Sequence, residues 1–107
     1  MVSGVQFVKK VIAEHGAVVF SKTTCGYCRM AKDVLNSVGA RYHVVELNQM
    51  HDDPTGDDVQ NACYQLTGQR TVPNVFINGQ SIGGGSDTAA LQKAGKLVPM
   101  LRDAEAL

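Results

Sequence analysis

The sequence KTTCGYCRM (residues 22–30) contains two cysteines three positions apart. It directly follows AVVFS (residues 17–21), an apolar, β-branched run that is typical of a buried strand. The residues after it carry apolar side chains at helical spacing until Gly39, where a helix is expected to end. Cys25 is therefore predicted to lie where a strand ends and a helix begins.

Three kinds of chemistry use two cysteines at this spacing: a zinc site, a structural disulfide or a redox-active pair. A structural zinc ion takes four ligands, usually from two such pairs, whereas the third cysteine, Cys63, lies on the apolar face of a predicted helix. The histidines His15, His43 and His51 show no spacing that would complete a zinc site. An odd number of cysteines, three, argues against a disulfide framework. The pattern therefore favours a redox-active pair.

The start of a helix is a favourable place for a cysteine that has lost its proton. Unpaired backbone N–H groups and the positive end of the helix dipole stabilise an anion there, and Lys22 adds a nearby positive charge. The thiolate is the nucleophile in disulfide exchange, so Cys25 is predicted to attack disulfides. Cys28 lies one helical turn further on, close to Cys25 but less exposed, and is predicted to be the resolving thiol.

Two distant segments suit a site around these cysteines. In RTVPN (residues 70–74), Pro73 precedes a strand, and a cis Val72–Pro73 bond would leave the N–H and C=O of Val72 free to pair with an extended peptide. An ordinary trans proline fits the sequence equally well. In GGGSD (residues 83–87), Ser86 is the predicted N-cap of a helix whose backbone N–H groups can bind a carboxylate or phosphate.

The rest of the chain predicts the element order α β α β α β β α. Ser3 and Gln6 indicate a capping box at the start of the first helix, and Asn–Gly at residues 78–79 indicates a hairpin. A helical connection makes the first two strands parallel. Gly95 and Pro99 are predicted to divide the last helical region. The predicted strands are 17–21, 42–47, 74–77 and 80–82, and the predicted third helix is 57–67.

Composition and charge narrow the class of protein. The 107 residues are 44% hydrophobic and 19% charged with a formal net charge of zero, which predicts one α/β domain over residues 1–107 and gives no reason to expect a nucleic-acid or membrane partner. Lys22, Arg29 and Lys32 surround the cysteines, which suits a small anionic partner. Neither a signal peptide nor a run of about 18 apolar residues is present, so we expect a cytoplasmic protein.

The segments SKTTCGYC and GQRTVPNVFINGQSIGGGSD, in this order and with these helices between them, resemble the glutaredoxins of the dithiol class. The match covers nearly the whole chain. The resemblance implies a thioredoxin-like fold with a four-stranded mixed sheet flanked by helices, a cis Val72–Pro73 bond, and glutathione as the reductant. The glutathione-binding residues that it implies are Lys22, Tyr27, Gln60, Arg70, Thr71, Val72, Pro73, Gly84, Gly85, Ser86 and Asp87.

The resemblance also implies how the tripeptide is held. Its cysteine pairs with the residue before the cis proline, and its glycine carboxylate meets Lys22 and Gln60, with help from Arg70. Its γ-glutamyl end meets the turn and helix start at Ser86 and Asp87. The charges agree with this arrangement. The basic residues are complementary to one carboxylate, the start of the helix is complementary to the other, and Asp87 is complementary to the ammonium group.

The implied substrates are glutathionylated or disulfide-containing proteins. In the implied mechanism, the Cys25 thiolate attacks the glutathionyl sulfur and releases the reduced protein, and a second glutathione then regenerates Cys25. Cys28 is needed where a Cys25–Cys28 disulfide closes instead. Cys63, among apolar neighbours, is expected to be a buried and inert thiol, and regulatory oxidation is the alternative.

One position departs from many dithiol relatives, which have proline where this chain has Gly26. Glycine loosens the first helical turn and leaves room beside Cys25. Relatives with a small residue here can hold a [2Fe–2S] cluster between two protomers. The alternative function is therefore cluster binding or transfer by a glutathione-bridged homodimer, with Cys25 of each protomer as a ligand, in a protein that is otherwise a monomer.

Overall fold

A single mixed sheet with helices on both faces forms the part of the chain that the computed structural model describes, residues 3–107. The helices are α1 (Gly4–Glu14), α2 (Gly26–Ser37), α3 (Gly56–Thr67), α4 (Gly85–Lys93) and α5 (Leu97–Asp103), with a 3₁₀ turn at Leu47–Gln49; the strands are β1 (Ala17–Ser21), β2 (His43–Glu46), β3 (Asn74–Ile77) and β4 (Gln80–Gly83). The sheet order is β2-β1-β3-β4; β1 pairs in parallel with β2, and the other two pairings are antiparallel. The predicted element order and the four-stranded mixed sheet are confirmed.

Strand β1 is covered on both faces, and all five of its residues are buried. Val18 and Phe20 pack with residues of α1 and α3, and the ring of Phe20 meets Phe76 edge-on, 5.5 Å between centroids. Ala17 and Val19 point to the opposite face, where they pack with residues of α2 and α5. This two-sided burial fixes the end of β1, from which the cysteine segment starts.

Capping boxes fix the starts of α1 and α3. Ser3 Oγ accepts the N–H of Gln6 at 3.1 Å, and Gln6 Oε1 accepts the N–H of Ser3 at 3.0 Å, as predicted. Thr55 and Asp58 form the same reciprocal pair at α3, with distances of 3.2 and 3.0 Å, which the sequence analysis did not predict. Helix α3 ends at Thr67, as predicted, and its C-cap Gly68 has a left-handed φ of 78°.

Two predictions about the last helices are wrong in detail. The N-cap of α4 is Gly84 rather than Ser86, because the Asp87 carboxylate accepts the N–H of Gly84 at 2.8 Å and closes the first turn two residues earlier. Gly95, with φ 73°, separates α4 from α5 as predicted, but Pro99 lies inside the first turn of α5. Proline is tolerated there because the first N–H groups of a helix have no partner within it. Within residues 3–107, no helix has both the length and the hydropathy needed to cross a bilayer.

Candidate functional site

Cys25 is the N-cap residue of α2. Its Sγ accepts a hydrogen bond from the backbone N–H of Cys28 at 3.2 Å. A donor in the first turn and the positive end of the helix both favour negative charge on this sulfur. Cys25 is partly exposed, whereas Cys28 is fully buried. The predicted position of Cys25 at a strand-to-helix junction is confirmed, and Cys25 is the accessible member of the pair.

The two other cysteines have surroundings that oppose ionisation. Burial raises the pKa of the Cys28 thiol and the neighbouring Cys25 sulfur raises it further, while the Lys22 backbone and the Ser21 hydroxyl partly lower it. Burial also raises the pKa of Cys63 to about 12. Because the thiolate is the reactive form, neither thiol is suited to the first attack on a disulfide. The predicted burial of Cys63 is confirmed.

The segment before β3 faces the Cys25 sulfur. Val72–Pro73 is a cis peptide, as the resemblance implied, and the carbonyl oxygen of Val72 lies 3.7 Å from Cys25 Sγ. The side-chain amide of Gln69 donates to the carbonyls of Thr71 at 3.0 Å and Pro73 at 2.8 Å. These bonds brace the segment on both sides of Val72. The sequence analysis missed Gln69, because no motif marks a side chain that bonds to its own loop.

The turn between β4 and α4 packs against both other parts of the site. A Cβ on Gly85 would lie 2.5 Å from the Tyr27 carbonyl oxygen, so glycine is required for this approach. A Cβ on Gly84 would lie 3.5 Å from the Pro73 carbonyl oxygen. Three segments that are distant in the sequence therefore meet around Cys25.

Several of the predicted binding residues present exposed side chains on these segments. Tyr27, on the first turn of α2, is 60% exposed. Thr71, Ser86 and Asp87 are also exposed. One carboxylate oxygen of Asp87 accepts the N–H of Gly84, and the other makes no hydrogen bond within residues 3–107. The carboxylate therefore remains available to a cation.

The basic side of the site is more loosely assembled. The side-chain amide of Gln60 donates to the carbonyl of Arg70 at 2.9 Å, which brings these two predicted residues together. Lys22 lines a groove of about 380 Å³ beside the Cys25 sulfur, and no hydrogen bond or ion pair within residues 3–107 joins it to Gln60. Lys32 pairs with Glu46 at 3.3 Å, so its charge is partly neutralised within the predicted basic patch.

The loop before Cys25 and the side chain of Arg70 are each held by a contact that the sequence did not predict. The backbone N–H of Thr23 donates to Asn48 Oδ1 at 3.1 Å, and Asn48 Nδ2 donates to Thr23 Oγ1 at 2.7 Å. These bonds hold the loop before Cys25 against the 3₁₀ turn. The guanidinium of Arg70 stacks on the ring of Tyr64, 4.3 Å from its centroid, which restricts where that charge can lie.

The fold and these contacts define a class of protein. A four-stranded mixed sheet, a helix that starts with a C-x-x-C pair, and a cis-proline segment beside the first sulfur form a thiol–disulfide oxidoreductase of the thioredoxin-like fold. The predicted fold class is therefore confirmed.

Comparisons with known proteins identify the family. The Glutaredoxin family model matches residues 17–82. A glutaredoxin of Ricinus communis is 48% identical over 99 residues, which cover 92% of this chain and 94% of that protein. A buckwheat glutaredoxin–glutathione complex has a TM-score of 0.91 at 46% identity, covering 97% of this chain and 92% of that one. The holo form of poplar glutaredoxin C1 has a TM-score of 0.88 at 42% identity, covering 94% and 97%. The chain belongs to the glutaredoxin family.

Proposed function

We propose that this protein uses glutathione to reduce protein–glutathione mixed disulfides and protein disulfides through Cys25. The observation that carries the proposal is the 3.7 Å approach of the Cys25 sulfur to the Val72 carbonyl beside the cis proline. An extended peptide that pairs with Val72 would bring its own sulfur to Cys25. The related buckwheat glutaredoxin was solved as a complex with glutathione, which supports glutathione as this peptide.

The charged groups of glutathione have suitable partners around the sulfur. Lys22 and Arg70, with the Gln60 amide, suit the glycine carboxylate. The backbone N–H groups at the start of α4 suit the γ-glutamyl carboxylate, and Asp87 suits the ammonium group. The proposed glutathione-binding residues are Lys22, Tyr27, Gln60, Arg70, Thr71, Val72, Pro73, Gly84, Gly85, Ser86 and Asp87.

The proposed reaction is a pair of thiol–disulfide exchanges. The Cys25 thiolate attacks the glutathionyl sulfur of a mixed disulfide, a Cys25–glutathione disulfide forms, and the substrate protein leaves as a thiolate that takes up a proton. A second glutathione thiolate then attacks the bound glutathionyl sulfur, which forms oxidised glutathione and releases the Cys25 thiolate. In the dithiol route, Cys28 loses its proton and attacks Cys25, the Cys25–Cys28 disulfide forms, and glutathione leaves.

A glutathione-coupled assay with a small glutathione mixed disulfide tests the roles of the cysteines. Cys25→Ser is expected to reduce turnover to the uncatalysed rate, because it removes the nucleophile. Cys28→Ser is expected to retain most of the turnover, because the second glutathione replaces the resolving thiol. Cys63→Ser, a buried cysteine outside the proposed chemistry, is the matched control. Equal losses in Cys25→Ser and Cys28→Ser would overturn the assignment.

The second candidate function is binding of a [2Fe–2S] cluster by a glutathione-bridged homodimer. Such a cluster is usually held by four thiolates. Within residues 3–107, no three His, Cys, Asp or Glu side chains are grouped to hold a metal ion, and Cys25 is the one cysteine that is not buried. One chain would therefore supply a single ligand, the Cys25 thiolate. Two chains and two glutathiones would together supply the four thiolates. A Cβ on Gly26 would meet no atom within 4 Å, which leaves space beside Cys25.

Anaerobic reconstitution with iron, sulfide and glutathione tests this second function. A brown protein that absorbs visible light and elutes as a dimer with glutathione present is expected. Gly26→Pro is the informative variant: proline suits the first residue of a helix and fills the space beside Cys25, so cluster yield should fall while reductase activity remains. A colourless wild-type monomer in the presence of glutathione would contradict cluster binding.

A further inference from the structure

A buried asparagine connects the two halves of the proposed glutathione site. Asn74, the first residue of β3, is 1% exposed and directly follows the cis proline. Its Nδ2 donates to Thr67 Oγ1 at 3.1 Å, and its Oδ1 accepts from Ser81 Oγ at 2.7 Å. Asparagine is depleted in strands, and a buried amide is costly unless it is hydrogen-bonded. A residue type that is unfavourable both in a strand and in a buried position is expected where it has a functional role.

The first set of hydrogen bonds leads from Asn74 to the Val72 segment. The Thr67 hydroxyl donates to the Cys63 carbonyl at 2.7 Å. It accepts one hydrogen bond from the N–H of Gln69 at 3.1 Å and another from the Asn74 amide. The hydroxyl therefore uses its one donor and both of its lone pairs. This arrangement fixes the backbone of Gln69. The side chain of Gln69 in turn donates to the carbonyls on either side of Val72.

The second set leads from Asn74 to the start of α4. The Ser81 hydroxyl, which donates to Asn74, accepts the N–H of Gly83 at 3.3 Å. Gly83 approaches Asp87 so closely that a Cβ on it would lie 2.2 Å from a carboxylate oxygen. The same oxygen accepts the N–H of Gly84. The turn that receives the γ-glutamyl end is therefore tied to the same buried amide as the Val72 segment.

We propose that Asn74 is a positioning residue that fixes the spacing between the Val72 segment and the Gly84–Asp87 turn, and so selects thiols that carry a γ-glutamyl group over thiols that lack one. This inference rests on the proposed glutathione-dependent function. Each half of the site binds one part of glutathione. Glutathione and γ-glutamylcysteine carry both the cysteine and the γ-glutamyl group, so they span both halves and gain from a fixed spacing. Cysteinylglycine occupies only the Val72 half and does not.

Kinetics with matched mixed disulfides test the proposal. Glutathione, γ-glutamylcysteine and cysteinylglycine are each joined to the same small thiol, and KM and kcat are measured separately. Asn74→Leu has a similar volume but makes neither hydrogen bond. It is expected to raise KM for the glutathione and γ-glutamylcysteine substrates about fivefold to tenfold, with kcat within about twofold of wild type, and to change KM for the cysteinylglycine substrate much less.

Two further variants each interrupt one of the two sets of hydrogen bonds, so they test the proposal even if Asn74→Leu does not fold. Ser81→Ala should reduce the preference for glutathione over cysteinylglycine, because it loosens the γ-glutamyl half. Gln69→Met should also reduce the preference for glutathione over cysteinylglycine, because it loosens the Val72 half and so its spacing from the turn, and it should leave the preference for glutathione over γ-glutamylcysteine unchanged. Gln80→Ala, an exposed neighbour on β4, should leave both ratios unchanged and serves as the control.

The outcomes distinguish this inference from the function on which it rests. A wild-type protein without activity on the glutathione substrate overturns the proposed function. A wild-type protein that is active, together with Ser81→Ala and Gln69→Met variants that keep wild-type substrate ratios, overturns the role of the Asn74 network alone. A loss of kcat with unchanged KM in the variants also overturns it, because that result indicates damage to the chemistry rather than to binding.

Discussion

At the scale of single residues, two glycines at equivalent positions have different surroundings. Gly26 and Gly85 are the first residues of α2 and α4. A Cβ on Gly26 would meet no atom within 4 Å, whereas a Cβ on Gly85 would lie 2.5 Å from the carbonyl oxygen of Tyr27. Backbone atoms cannot rotate away as the end of a side chain can. Gly85 is therefore required where the two helix starts meet, and Gly26 is free to vary.

Alanine at these two positions tests the difference. Gly85→Ala is expected to lower the free energy of unfolding by about 1–3 kcal/mol and to raise KM for a glutathione mixed disulfide, because the Tyr27 backbone must move. Gly26→Ala is expected to be neutral or to stabilise by up to about 1 kcal/mol. Urea denaturation of both variants measures the effect. Equal stability would show that the contact at Gly85 is not tight.

At the scale of elements, the end of α1 meets the start of β2 through two stacked histidines. The rings of His15 and His43 lie 4.2 Å apart between centroids and are within 4° of parallel. Burial lowers the pKa of His43, the charge of His15 lowers it further, and Glu14 partly opposes the change. The stack therefore favours the neutral form of His43 in the folded protein.

A lowered pKa in the folded state predicts a loss of stability in acid. The unfolded chain binds the His43 proton more readily than the folded protein does. The stabilisation is therefore complete above the ordinary histidine value of about 6.5 and is lost as the pH falls through the lower pKa of the folded state. His43→Gln should show a shallower decrease in the free energy of unfolding across this range. A decrease as steep as that of wild type would contradict the prediction.

Element positions were predictable where the signal was local. Apolar spacing, the Ser3 capping box and the cysteines after β1 lie within a few residues of what they specify. The N-cap of α4 was not predictable in the same way: Gly84 and Ser86 are both acceptable caps, and the carboxylate of Asp87 decides between them. A second cis peptide, Asp53–Pro54, was not predicted either.

The contacts that support the site were not predictable, because the fold creates them. Asn74 bonds to side chains seven residues away on each side, and Asn48 bonds to Thr23 beyond the ends of the neighbouring strands β1 and β2. In a sequence, single polar residues of this kind cannot be distinguished from ordinary surface residues. The resemblance to a family supplied the residues that we propose bind substrate, but it did not supply the residues that hold them in place.

At the scale of the whole molecule, charge is balanced in number but uneven in position. The chain has 10 basic and 10 acidic residues. Lys22, Arg29 and Lys32 line the groove beside Cys25 together with Asp33 and Glu46, a formal excess of one positive charge. Asp52, Asp53 and Asp57 are exposed around the start of α3. Zero net charge thus coexists with a small excess of positive charge at the proposed site, which favours an anionic substrate.

Salt dependence tests this uneven distribution. Raising the salt concentration should raise KM for a glutathione mixed disulfide and leave kcat nearly unchanged, because exposed charges are screened at high salt. Lys22→Gln should raise KM at low salt and reduce the salt dependence. A KM that is independent of salt in the wild type would show that these charges do not contribute to binding.

Mass spectrometry of modified peptides can show whether Cys25 is the thiol that carries glutathione, as we propose. Reduced Cys28→Ser protein is treated with oxidised glutathione, its remaining thiols are alkylated, and it is digested with trypsin. We predict glutathione on the peptide that contains Cys25 and an alkylated, glutathione-free peptide that contains Cys63. Glutathione on Cys63, or its absence from Cys25, would contradict the account.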